Sequence, residues 1–313
     1  MPKSAFAFAP AAISSFFEIC DQTREGTPIN NLTLVGARGG GFGLQKGVLT
    51  KVSVSEASAE GIEVFINGQS APEAKTTETT IRVLLKEKKE KYNVVVNHRV
   101  EVPIGAGFGT SAGGALTAGL ALKEALSLPL TTNQVGKAAH LAEIQCQTGL
   151  GTVSSLASGG GCILVVEPGA PGICKIDSIP LTPEYALVAG VFRGVPKTTV
   201  FSSPEKRIQV NRCGRKTLSS ILAKPTLENF LTCCWRFALE ARFATNRVKN
   251  LVTLAKKAGA IGAAQNMVGE AVHAIALEEK AQDVAETFKQ VLPKECVFVS
   301  KLDFQGARLV TGP

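Results

Sequence analysis

The 313-residue chain holds one Trp and two Tyr, so aromatic stacking of single-stranded nucleic acid has little support beyond its 15 Phe. No apolar run approaches the roughly 18 residues that a membrane span requires, the longest stretches being 115–122 and 162–166. The first residues, Met1-Pro-Lys-Ser-Ala-Phe6, lack the long apolar core of a secretory signal. A cytoplasmic protein that binds neither nucleic acid nor membrane is therefore expected. None of the eight Cys forms a C-x-x-C pair, and only Cys233 and Cys234 adjoin. That usage predicts reduced, mostly buried thiols rather than a disulfide framework or a zinc site.

What is present fits a folded chain, 45% hydrophobic and 19% charged. The net charge of +8 is a mild excess that suits an anionic small molecule. The densest charge run, Lys86–Lys91, alternates in sign and reads as a solvated helix face. Ile62–Gly68 alternates and ends in Asn-Gly, a hairpin signal. Tyr92–Val102 reads as a strand, followed by a helix over Ala112–Leu126. Thr131 and Gln134 have capping-box spacing for a helix reaching about Gln147, and Cys162–Val166 reads as an apolar strand. The turn Pro168-Gly-Ala-Pro-Gly172 divides the chain into lobes at 1–170 and 171–313. In the second lobe Tyr185–Phe192 reads as a strand, and Thr226–Arg242, Asn246–Ala258 and Met267–Glu279 as helices. Cys296–Ser300 and Ala307–Val310 close the chain as short strands, giving an α+β, two-lobed layout.

The strongest chemical signal is Val102-Pro-Ile-Gly-Ala-Gly-Phe-Gly-Thr-Ser-Ala-Gly-Gly114, set between strand and helix. Gly105, Gly107 and Gly109 permit positive φ and close approach of a ligand. Thr110, Ser111 and Ala112 fall where free amides and the helix dipole attract phosphate. No Gly-Lys-Ser/Thr follows, and G-x-G-x-x-G is not in register, so the two better-known phosphate loops are excluded. A tight connection without a ligand is the other reading of such a loop. Glu143 on the next helix is either a solvated carboxylate or a ligand for a hard cation such as Mg²⁺. His140, one turn earlier on the same face, either touches substrate or packs. His140, Glu143 and Cys146 have zinc-like spacing but lack a fourth ligand.

Pro103, three residues, then Gly107-Phe-Gly-Thr-Ser-Ala112 resembles the second motif of the galactokinase–homoserine kinase–mevalonate kinase–phosphomevalonate kinase (GHMP) superfamily. The resemblance implies a two-lobed GHMP kinase fold and phosphoryl transfer from ATP to a small-molecule hydroxyl. It assigns nucleotide binding to Gly105, Ala106, Gly107, Gly109, Thr110, Ser111 and Ala112, and Mg²⁺ binding and catalysis to Ser111 and Glu143. Within the superfamily, Ala9–Phe17, Val35–Leu44, Thr148–Val153, Glu167–Gly172, Pro225–Phe230 and Gly269–His273 resemble the archaeal pantoate kinases of coenzyme A synthesis. Ser14, Ser15, Arg38, His140 and Thr152 are then the expected substrate contacts, with Arg193, Lys197 and Arg212 as further cations for a carboxylate. Relatives are often dimers, so the resemblance allows a homodimer. The chain departs from that pattern at three positions. Thr152 stands where an aspartate is frequent, Ala37 where a serine is, and Val165 where an arginine is. These departures motivate a second reading, a non-catalytic relative that binds nucleotide or metabolite and regulates a partner. A homoserine, mevalonate or shikimate kinase-like enzyme is a third.

Overall fold

The computed structural model describes residues 3–23, 25–194 and 203–312. Two long antiparallel strands, β1 (Lys3–Cys20) and β2 (Gly36–Ala57), form the spine. On β1, Ala5, Ala7, Ala9, Ala11 and Ile13 alternate inward, and their small side chains leave room for a helix to lie close. That helix is α2 (Thr110–Ala125), in which a Cβ at Gly119 would stand 2.7 Å from Val135 on α3 (Thr132–Gln145). Between them in sequence come β3 (Gly61–Ile66), β4 (Gln69–Ser70), α1 (Lys75–Leu85) and β5 (Lys91–Val100). The expected Asn-Gly hairpin joins β3 to β4, with Asn67 and Gly68 both at positive φ. The Lys86–Lys91 run is an exposed turn entering β5 rather than a helix face, because no apolar residue after Leu85 seats another turn.

After α4 (Thr152–Ser158), β6 (Cys162–Glu167) pairs with β2, and β7 (Lys175–Ile179) pairs with β6. The second sheet contains β8 (Tyr185–Gly194), β9 (Gly262–Gln265), β10 (Gly269–Leu277) and β11 (Val297–Lys301), in the order β11-β8-β10-β9. Against it lie α6 (Leu227–Glu240), α7 (Asn246–Lys257) and α8 (Glu278–Lys289), while α5 (Pro204–Ala223) packs on β1 and β2. The final strand, β12 (Arg308–Val310), returns to pair with β1. The first sheet thus takes β7 and β12 from beyond residue 170 and draws on both sides of the expected boundary. Met267–Glu279 proves to be mainly strand. Residues 269–276 are buried without a break, so the strand shows no alternation and its pattern reads equally as a buried helix.

All three histidines are buried in this scaffold. His98 lies between Thr50 (2.7 Å) and Thr77 (3.1 Å), and burial pushes its pKa down to about 4. Burial takes His273 down to about 3 and also lowers His140. Below the unfolded value near 6.5 the unfolded chain takes up protons that the folded chain refuses. Stability is therefore fully present above that pH and falls as pH drops towards 4. Lowering pH from 6.5 to 5 should remove about 3 kcal/mol through His98 and His273 together. Urea unfolding at both pH values checks this, and equal stabilities would contradict it.

Candidate active site

The loop between β5 and α2 alternates two kinds of residue. Gly105, Gly107 and Gly109 have φ of 78°, 83° and 64°, while the intervening Ala106 and Phe108 are buried. The Phe108 ring packs on Phe298, and its carbonyl accepts a hydrogen bond from Ala12 N at 3.0 Å. The loop is pinned by every second residue and turned by the glycines between. Gly109 is the N-cap of α2 and supplies no side chain to cover the helix start. Among the described residues, no protein atom accepts from the amides of Thr110, Ser111 or Ala112. The positive end of a 16-residue helix is thereby presented to an anion.

These amides border a cavity of about 460 Å³ between the glycine loop, the middle of β1 and β2, and the turn at 267–268. Among the described residues that line it, only Arg38 and Glu143 carry charge. The capping box that opens α3 is formed as expected, with Thr131 accepting from Gln134 N and Gln134 from Thr131 N. This helix carries Glu143, 2% exposed, to the cavity wall, where a Cβ at Gly149 would stand 2.6 Å from Oε2. Two residues not anticipated from sequence connect Glu143 to Ser111. Ser111 Oγ donates to Thr76 Oγ1 (3.2 Å), Thr76 Oγ1 lies 3.0 Å from Thr148 Oγ1, and Thr148 Oγ1 donates to Glu143 Oε1 (3.3 Å). A hydroxyl and a buried carboxylate on one wall are the hard oxygen donors that a nucleotide-bound Mg²⁺ needs beyond phosphates and water. No group of three His, Cys, Asp or Glu that could hold a metal exists among the described residues, which argues against a zinc site at His140, Glu143 and Cys146.

The substrate residues expected from sequence divide. Ser14, Arg38 and Thr152 line the cavity, as do Ala37 and Val165. Arg38 forms an ion pair with the buried Glu18 at 2.6 Å, and Glu18 also holds Arg215 at 3.2 Å. Ser15 and His140 stand away from the cavity lining. Ser15 is fully buried and meets His273 Nε2 at 2.9 Å, while His273 Nδ1 meets Asn266 Oδ1 at 2.8 Å. His140 Nε2 lies 3.0 Å from the Val35 carbonyl, a packing arrangement. Arg212 is exposed on α5, away from the cavity lining; Lys197 and the Arg193 side chain lie outside the described residues. A further neighbour of the glycine loop from the second sheet is the turn at 266–269, not foreseen from sequence. A Cβ at Gly107 would stand 3.2 Å from Asn266 Cβ, and one at Gly269 would stand 3.0 Å from the Ala106 carbonyl.

Residues 75–160, which span α1 to the end of the glycine-rich turn before β6, match the family of GHMP kinases N terminal domain. The chain is 24% identical to the pantoate kinase of Methanocaldococcus jannaschii over 90% of its own length and 96% of that protein's. It is 28% identical to the pantoate kinase of Thermococcus kodakarensis, over 88% and 89% of the two chains. A solved structure described as a phosphotransferase related to the CoA biosynthesis pathway superposes with a TM-score of 0.82, at 24% identity over 98% of both chains. No helix among the described residues is long and apolar enough to cross a membrane.

Proposed function

We propose that this chain, whose residues 75–160 match the GHMP kinases N terminal domain, phosphorylates pantoate with ATP, yielding 4-phosphopantoate for coenzyme A synthesis. The similarity to two archaeal pantoate kinases over about nine-tenths of the chain supports the acceptor. The observation that carries the reaction type is the helix start with unclaimed amides, opening on a cavity beside the Glu143 carboxylate. The amides of Thr110, Ser111 and Ala112 bind the terminal phosphates of ATP. Ser111 and Glu143 would hold Mg²⁺, which supplies neutralisation of phosphate charge when bound. Arg38 faces the acceptor carboxylate, and Ser14 and Thr152 orient its hydroxyl. Gly105–Phe108, fixed by their buried alternates, keep the phosphate cradle from relaxing when the nucleotide leaves.

Among the described residues, no carboxylate other than Glu143 lines the cavity. Phosphoryl transfer through a loose transition state depends chiefly on positioning and electrostatics, so the acceptor proton can leave late, without a strong base. The same observation favours the competing reading, a relative that binds nucleotide without turnover. Incubation with ATP, Mg²⁺ and pantoate, followed by ³¹P NMR and ADP release, distinguishes them. Formation of 4-phosphopantoate is expected. Turnover only with homoserine, mevalonate or shikimate moves the acceptor, and nucleotide binding with no turnover on any of them overturns the kinase reading.

A further inference from the structure

We propose that Thr76 is a positioning residue for Ser111 and Glu143, the middle of a directed hydroxyl relay that turns the Ser111 oxygen towards a cation. The proposal rests on the reading of that pair as the metal-nucleotide site. A carboxylate can only accept, which fixes the direction of the whole chain. Thr148 gives its proton to Glu143, either to Oε1 at 3.3 Å or to the backbone carbonyl at 3.4 Å. The Thr148 oxygen is then left to accept from Thr76 at 3.0 Å. Thr76 in turn accepts from Ser111 at 3.2 Å. Each hydroxyl in the series donates towards the carboxylate and is polarised by the next.

The consequence falls on Ser111. A serine that ligates a cation does so through an oxygen lone pair, and its proton must point elsewhere. Thr76 takes that proton, so the lone pairs remain for the cavity. Three helices are required for this. α2 brings Ser111 and α3 ends near Thr148, while the first turn of α1 inserts Thr76 between them. Thr76 is 5% exposed and anchored from within its own helix, its carbonyl accepting from Thr80 Oγ1 at 2.8 Å. Outer hydrogen-bond partners of metal ligands typically carry about 10- to 100-fold in affinity.

The test is Mn²⁺ affinity, read by electron paramagnetic resonance in the presence of a nonhydrolysable ATP analogue. Thr76→Val, nearly the same shape without the hydroxyl, is expected to weaken Mn²⁺ binding by about 10-fold or more. Its affinity for the metal-free analogue should be unchanged, and Thr76→Ser should restore the metal. Thr148→Val breaks the relay at its other link and should reproduce the loss, which decides the matter if Thr76→Val fails to fold. Wild-type Mn²⁺ affinity in both valine variants, with weakened binding in Ser111→Ala, would refute the relay while leaving the site intact. Unchanged affinity in Ser111→Ala and Glu143→Gln as well would refute the metal assignment itself.

Discussion

Glu143→Gln is expected to lower kcat by about 10²–10³-fold, a loss typical of removing one electrostatic contact that the transition state requires. The substitution keeps the side-chain volume at a position only 2% exposed, so the packing of α3 should survive. What disappears is a negative charge on the cavity wall and the terminal acceptor of the Ser111–Thr76–Thr148 relay. A fall in turnover is therefore the expected result. Steady-state kinetics across a Mg²⁺ titration, with thermal unfolding of both proteins, measures it. Equal turnover in wild type and variant would remove Glu143 from the chemistry.

Gly109→Val should affect the other half of the site, weakening nucleotide binding by about 100-fold or more, since a displacement of about 1 Å in a positioned group can cost that much. Gly109 has φ 64°, and a Cβ there would stand 2.8 Å from the Thr152 methyl and 3.1 Å from both the Cβ and the carbonyl of Ala12. A β-branched side chain meets both the backbone penalty of positive φ and this collision. It can be accommodated only if the loop moves, which carries the amides of Thr110–Ala112 with it. Gly105→Ala is the comparison. Its φ is also positive, at 78°, but nothing lies within 4 Å of the added methyl. Only the backbone strain of about 1–2 kcal/mol then applies. Calorimetric titration with the ATP analogue should rank the two variants in that order; the reverse order would contradict the geometry.

Those two variants fall on features legible in the sequence. The glycine loop and the capping box at Thr131 and Gln134 are local, each encoded within a few consecutive residues, and both could be read before folding. β1 and β2 were harder, because they carry register shifts at Pro10/Ala11 and Ser14/Phe16. A Cβ at Gly41 would fall 1.6 Å from the Ile13 carbonyl, so glycine appears there in place of the usual strand residues. Met267–Glu279 misled for the opposite reason, burial on every face having erased the periodicity. His140 shares a helical face with Glu143 in sequence spacing, yet its ring reaches the Val35 carbonyl. The contacts of Ser15 with His273 and of Ser111 with Thr76 join residues 258 and 35 positions apart. Only the contact between the two sheets and the packing of α1 beside α2 and α3 bring them together, and no local pattern encodes that.

A crystal structure with Mg²⁺ and a nonhydrolysable ATP analogue tests the phosphate cradle most directly. The β- and γ-phosphate oxygens should lie about 3 Å from the amides of Thr110, Ser111 and Ala112, with the cation on Ser111 Oγ and the Glu143 carboxylate. A triphosphate bound elsewhere, with the start of α2 left to solvent, would contradict the account.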